Sequence, residues 1–203
     1  MRTKLTFAIA VLTVTTLVAA AALAAGSRFN KVVDIGDAAP TWSNLAGTDG
    51  AQHSLADYKD AKVFVEVFTC NHCPVARMYE DRLIGLQKEY KDKGVQVVAI
   101  SVSKQEGDQL PAMKKLADEK GFNFPYLHDP SQAAGRAIGA TKTPHVFVFD
   151  ADRKIVFMGG IDDNWMNPDE VKKTYLRDAI DAVLAGRTPE VQANLPTGCG
   201  IEY

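Results

Sequence analysis

A mostly apolar run that leads into two cysteines constrains this chain most. Ala61–Phe68 reads Ala-Lys-Val-Phe-Val-Glu-Val-Phe, and Cys70-Asn71-His72-Cys73-Pro74 follows after one threonine. Valines alternating with bulkier residues predict a buried β-strand. Pro74 predicts the first residue of a helix, where its missing N–H costs nothing. Beyond it Val75, Tyr79, Leu83, Leu86 and Tyr90 make one apolar helical stripe, closed near Gly94. The two thiols therefore sit at a strand-to-helix junction. Exposed helix N–H groups favour a thiolate there. Two thiols at this spacing can close a small disulfide or hold a soft metal.

The rest of the chain continues in the same style. Val95–Val102 is a second continuous apolar strand, of the kind covered on both faces. Pro111–Lys120 predicts a helix stopped by Gly121, and Asp129-Pro130 caps a short helix reaching about Ile138. His145–Phe149 and Ile155–Met158 predict strands joined by a turn at Asp150-Ala151-Asp152. Asn167-Pro168 caps a last helix with a stripe of Val171, Tyr175, Ala179 or Ile180, and Val183. The order is β-α-β-α-(short α)-β-β-α, an α/β fold with parallel pairing and a final antiparallel hairpin. Residues 30–58 add short strand candidates before it, and residues 187–203 form an extended tail.

The N-terminus sets the compartment. Arg2 and Lys4 precede the uncharged segment Leu5–Ala21, and Ala22-Leu23-Ala24 is an A-x-A cleavage pattern. Residues 1–24 read as a signal peptide and residues 25–203 as one domain, periplasmic or secreted, with an uncleaved membrane anchor as the alternative. Disulfides persist in that space. Removing residues 1–24 takes away two positive charges and no acids, lowering the formal charge from −2 by a further two. Basic residues form no block and are not interleaved with aromatics, which argues against nucleic acid as a partner. Three cysteines are no disulfide framework; a pair with one left over is a functional pattern.

These residues resemble the thioredoxin fold: the CxxC after a core strand, Thr143-Pro144 opening a hairpin, and Gly159-Gly160 after it. Phe122-Asn123-Phe124-Pro125-Tyr126-Leu127, Asp129 and Thr143-Pro144-His145-Val146-Phe147 are similar to the redoxin branch of TlpA/ResA-like thiol oxidoreductases and AhpC/TSA peroxidases. The Cys-Asn-His-Cys-Pro motif, Tyr79-Glu80-Asp81-Arg82-Leu83 and Gly198-Cys199-Gly200-Ile201 resemble an exported bacterial subfamily of it. The resemblance covers about residues 34–203. It implies a central mixed sheet flanked by helices, with an N-terminal strand extension and a C-terminal tail. It also implies a thiol–disulfide oxidoreductase without bound cofactor or metal, working on protein thiols or disulfides and regenerated by a redox partner.

The resemblance distributes roles. Cys70 is the nucleophile, exposed just outside the helix with its pKa lowered by the helix dipole, and Cys73 resolves the mixed disulfide. His72 either stabilises the Cys70 thiolate or is a solvated loop histidine, and Asn71 is a permissive turn residue. Thr143-Pro144 is a cis-proline loop that offers the preceding backbone to an extended substrate, with His72 and His145 bordering it. Glu66 is either a proton-relaying carboxylate under the CxxC, its pKa raised by burial, or a strand-edge glutamate reaching solvent. Cys199 is a possible third redox thiol or a surface cysteine. Asp162, Asp163, Trp165 and Met166 either border the substrate groove or form a turn with a core anchor.

Two other functions fit parts of the pattern. Cys70, Cys73 and His145 are a soft-ligand set suited to Cu(I), weakly resembling Sco-type copper chaperones. A thiol peroxidase is the other, although the proline that peroxiredoxins carry before the reactive cysteine is missing between Ala61 and Thr69.

Overall fold

The computed structural model describes residues 28–203. The signal-peptide reading of residues 1–24 falls outside the described residues. Among the described residues no helix is long and apolar enough to cross a membrane.

The sheet grows outward from the strand that leads to the cysteines. That strand, β3 (Val63–Phe68), is buried at all six positions. It pairs in parallel with β4 (Val95–Ser101), which pairs in parallel with β5 (Tyr126–His128). On its other side β3 meets β7 (His145–Phe149) antiparallel, and β8 (Ile155–Gly159) closes the hairpin. With β1 (Leu45–Gly47) and β2 (Gln52–His53) the order is β2-β1-β5-β4-β3-β7-β8. A separate pair joins β6 (Lys142–Thr143) to β9 (Cys199–Gly200), antiparallel.

Period-2 alternation assigns the two faces of β3. Val63, Val65 and Val67 meet α1 (Pro74–Tyr90), α2 (Leu110–Lys120) and α4 (Tyr175–Leu184) through Tyr79, Leu83, Met113, Leu176 and Ile180. Phe64 and Phe68 meet α3 (Ala133–Ile138) and the N-terminal segment, through Ile138, Trp42 and Leu55. Each fully buried aliphatic or aromatic side chain contributes roughly 1.5–3 kcal/mol relative to exposure. Gly94, at φ 89, turns the chain from the end of α1 into β4.

Three local features depart from the sequence expectations. Strand β5 has no counterpart there, because three residues after Pro125 are too few to display alternation. Asn167 and Pro168 cap only a 3-10 turn, Pro168–Glu170. The chain then stays extended because Asp163 accepts the backbone N–H groups of Lys172 and Lys173 at 2.9 and 3.1 Å. The last helix consequently begins at Tyr175, and Val171 is not part of it. Finally, the tail is extended but docked. Gln192 and Asn194 bond the backbone of Met158, the Ile201 N–H reaches the Thr141 carbonyl, and the Tyr203 hydroxyl reaches that of Ala140.

Candidate functional site

Strand β3 delivers Cys70 to the end of the sheet, and Cys73 becomes the N-cap of α1, its sulfur accepting the Ala76 N–H at 3.4 Å. The cis Thr143-Pro144 peptide faces them. Thr143 touches both sulfurs: its Oγ1 lies 3.3 Å from the Cys70 sulfur, and its carbonyl oxygen accepts from the Cys73 thiol at 3.0 Å. Cys199, carried by β9 opposite Thr143, packs against the cluster that Cys70 and Cys73 form with Ala76. A cleft of about 610 Å³ opens here, lined by Cys70, His72, Gln105, Thr143, Cys199 and Tyr203 among others. Cys73 does not line it.

The loop between the cysteines is held from below by a residue the sequence reading passed over. Asp108 is fully buried in the 3-10 turn Glu106–Asp108 that precedes α2. Its Oδ1 accepts the backbone N–H groups of Asn71 and His72 at 2.7 and 3.0 Å. Its Oδ2 accepts from His72 Nδ1 and from the Ser103 hydroxyl, both at 2.5 Å. His72 Nε2 is thereby presented to the Cys70 sulfur at 3.9 Å. Cys70, His72 and Asp108 form a thiol–imidazole–carboxylate line, a geometry in which the imidazole can take the thiol proton. Asn71 is more than a permissive turn residue: its amide donates to the Gly107 carbonyl at 3.0 Å and accepts the Tyr126 hydroxyl at 2.9 Å.

Electrostatically the dithiol is a coupled pair that carries one negative charge well. Hydrogen bonding from Cys70 holds the Cys73 thiol below the ordinary range, with further help from Cys199, Thr143 Oγ1 and the Ala76 N–H. Burial and the Thr143 carbonyl oxygen work against this. Cys70 is pushed up by donating to Cys73, then by burial and the Asp108 charge. The sequence expectation is therefore corrected in two respects. Cys70 is 3% exposed rather than open, and the helix terminus serves the Cys73 sulfur, one turn nearer to it.

Residues 34–174 match the Redoxin family. The chain belongs to that family. Among solved structures, this redoxin is similar to an uncharacterized conserved protein of Geobacillus kaustophilus. The two are 36% identical with a TM-score of 0.77, over 83% of this chain and 92% of that one. A hypothetical protein of Sinorhizobium meliloti 1021 is 31% identical, also with a TM-score of 0.77, over 83% of this chain and 94% of that one. The thiol-disulfide oxidoreductase ResA of Bacillus thuringiensis (strain Al Hakam) is 27% identical over 126 residues, covering 61% of this chain and 68% of ResA. The redoxin is thus of the thiol–disulfide oxidoreductase-like kind, on a thioredoxin-like fold.

The remaining sequence-predicted residues of the redoxin fall in different places. Glu66 is not at a strand edge: it is 1% exposed in the central strand, between Val98 and Phe147. It shares the face of Phe64 and Phe68, opposite α1, where burial pushes its carboxyl up to about 8. The neighbouring Trp42 indole offsets little of that and closes no well-formed hydrogen bond. The carboxylate beside the dithiol is Asp108. His145 is also interior, its ring tilted by 36° against Phe147 with centroids 4.5 Å apart, and its Nδ1 accepts the Thr141 N–H at 3.2 Å. Burial lowers its pKa to about 3. It belongs to the core and does not border the cleft.

Metal binding is constrained by the same geometry. Among the described residues, the ligand atoms close enough to share an ion belong to Cys70, His72 and Asp108, without Cys73 or His145. Both Asp108 oxygens and His72 Nδ1 are already committed to hydrogen bonds, which leaves only the Cys70 sulfur and His72 Nε2, themselves in contact at 3.9 Å. The copper set of the alternative reading, Cys70, Cys73 and His145, is not assembled. The Asp162–Met166 loop also lies away from the cleft. Asp162 accepts from the Tyr79 hydroxyl at 2.7 Å and from Arg82 at 2.6 Å, and Trp165 packs on the helix-side core.

Proposed function

We propose that this redoxin is an exported thiol–disulfide oxidoreductase that exchanges disulfides with protein thiols through Cys70 and Cys73. The observation that carries the reading is Thr143, the residue before the cis proline, contacting both sulfurs beside a cleft that Cys70 alone of the pair lines. An incoming substrate sulfur meets Cys70 first, and Cys73 is shielded behind it.

In the oxidising direction a substrate thiolate attacks the Cys70 sulfur of the Cys70–Cys73 disulfide. The new bond joins substrate to Cys70, and Cys73 leaves as a thiolate held by the Ala76 N–H and the Cys199 thiol. A second substrate thiolate then attacks the substrate sulfur. Cys70 is released, the substrate carries the disulfide, and the pair is left reduced by two electrons. Reduction of a substrate disulfide runs the same steps backwards, with Cys70 attacking and Cys73 resolving. A redox partner resets the pair in either case, and no cofactor enters the steps. A leader at residues 1–24 would deliver the domain to a space where such exchange is useful.

Substitution tests the division of roles. Cys73→Ser should trap substrate proteins as mixed disulfides on Cys70, visible as adducts on non-reducing gels that dithiothreitol removes. Cys70→Ser should trap none. No adducts, together with no exchange on a model protein disulfide, would sink the reading.

A further inference from the structure

The tail brings a third sulfur to the dithiol. Strand β9 pairs antiparallel with β6, in the register Thr143↔Cys199 and Lys142↔Gly200. The Cys199 side chain packs against the cluster of Cys70, Cys73 and Ala76, and its thiol eases ionisation of Cys73 while its own is pushed up. This placement is fixed from several sides. Gly198, at φ 148, lies so close to the Thr143 carbonyl oxygen that any Cβ there would collide with it. Downstream, the Ile201 N–H bonds the Thr141 carbonyl, Gln132 donates to the Glu202 carbonyl at 2.6 Å, and the Arg136 guanidinium covers the Tyr203 ring at 4.6 Å. A surface cysteine on a loose tail would need none of this.

We propose that Cys199 is a third redox thiol that exchanges with Cys73, moving the disulfide from Cys70–Cys73 to Cys73–Cys199. The inference rests on the exchange reading of the dithiol. Cys199, as a thiolate, attacks the Cys73 sulfur of the Cys70–Cys73 disulfide. The Cys73–Cys199 bond forms as the Cys70–Cys73 bond breaks, and Cys70 leaves as a thiolate. The proton lost by Cys199 is taken up by Cys70, through water in the cleft that both residues line. One disulfide is exchanged for another, with no change in the oxidation level of the chain. The consequence is chemical: the chain stays oxidised while Cys70, facing the cleft beside His72, becomes a free thiol able to attack a second disulfide. Two states of one oxidised chain thus present either a disulfide or a nucleophile to a substrate.

Trypsin separates the partners, because Cys70 and Cys73 fall in residues 63–77 and Cys199 in residues 188–203. The full chain is oxidised with one equivalent of oxidised glutathione, acid-quenched, alkylated with N-ethylmaleimide and mapped by mass spectrometry. The wild type should yield a 63–77/188–203 cross-link, retained in Cys70→Ser and lost in Cys73→Ser and Cys199→Ser. The intrapeptide Cys70–Cys73 disulfide of Cys199→Ser reads the underlying exchange separately. If that disulfide forms and the wild type and Cys70→Ser give no cross-link, the third-thiol inference falls alone. A cross-link lost in Cys70→Ser but kept in Cys73→Ser also overturns it, by assigning the partner to Cys70. If Cys199→Ser forms no Cys70–Cys73 disulfide, the exchange reading falls and this inference with it.

Discussion

Asp108 fixes His72 three ways at once, accepting its backbone N–H, the N–H before it, and its ring Nδ1. The cost of burying a carboxylate is thereby offset by four charge-assisted hydrogen bonds, the fourth from Ser103. The ring has one nitrogen left, and it faces the Cys70 sulfur.

Asp108→Asn should therefore slow exchange at Cys70 without touching either sulfur. The amide can accept the backbone N–H groups with its oxygen but loses the charge and one acceptor site. Losing a charged hydrogen bond costs about 1.5–3 kcal/mol, or roughly tenfold or more in rate if expressed in the attacking state. His72→Ala should give a comparable loss, and the double variant little more, because the two act as a unit. Exchange rates with oxidised glutathione check this. Fully additive losses would show that Asp108 acts on the loop and not through the ring.

A stabilised thiolate on Cys73 favours the dithiol over the disulfide and makes Cys73 a good leaving group. The Cys70–Cys73 couple should therefore be more oxidising than thioredoxin, whose potential is about −270 mV. Ala76→Pro removes the one backbone N–H that Cys73 accepts, at a first-turn helix position that tolerates proline. It should lower the potential by about 30 mV or more, the equivalent of about 1.4 kcal/mol for two electrons. Equilibration against glutathione buffers, in a Cys199→Ser background, measures both. A wild-type value at or below that of thioredoxin would remove the proposed preference.

What the sequence made legible was whatever a local pattern could carry. Residues 61–90 hold strand, cysteine pair and helix within one continuous stretch, and periodicity reads them directly. Thr143-Pro144 became readable only through the resemblance. Asp108 lies 36 residues beyond His72, in the polar stretch Gln105–Gln109, which has no period. Its position just before the predicted helix is the one local signal it offers. Its role arises when the β4–α2 connection folds under the loop. Arg82 is a second such case. Glu80-Asp81-Arg82-Leu83 stood out in the sequence, but not its partners. The guanidinium reaches Asp162 at 2.6 Å and the carbonyls of Asn164 and Trp165 at 2.7 and 3.1 Å, tying to α1 the loop that read equally as a groove border.

Two buried titratable groups should shape stability with opposite signs. Glu66 ionises near 4.5 when unfolded and near 8 when folded. The unfolded chain gives up that proton first, so stability falls as pH rises through this window. His145 titrates near 6.5 unfolded and near 3 folded, so the unfolded chain binds the extra proton and stability falls as pH drops below about 6.5. From about 4.5 to 6.5 the two slopes oppose each other. Comparing denaturant midpoints with Glu66→Gln should show the variant gaining on the wild type from pH 5 to 8, by on the order of 3–5 kcal/mol at the top. A difference independent of pH would mean that the glutamate is ionised throughout.

Gly198 is the residue that lets the tail lie against Thr143. An alanine there would drive its Cβ into the Thr143 carbonyl oxygen, and its φ of 148 already disfavours any side chain. Gly198→Ala should therefore undock residues 198–200 while leaving the sheet intact, since β9 pairs only with β6 among the described residues. The hydrogen bonds of Gln132 and Tyr203 would still tether the end of the chain, which limits the loss of stability to about 1–3 kcal/mol. Cys199 should then react with N-ethylmaleimide faster by about tenfold or more, because its sulfur leaves the cluster with Cys73 and the barrier of about 1.4 kcal/mol or greater to opening disappears. Cys70 should also become easier to alkylate, since the tail forms one wall of the cleft it lines. Time-resolved alkylation read by mass spectrometry measures both thiols in one experiment. Unchanged rates at Cys199 would mean that the tail is held by its distal contacts alone and that the pairing at Thr143 contributes little.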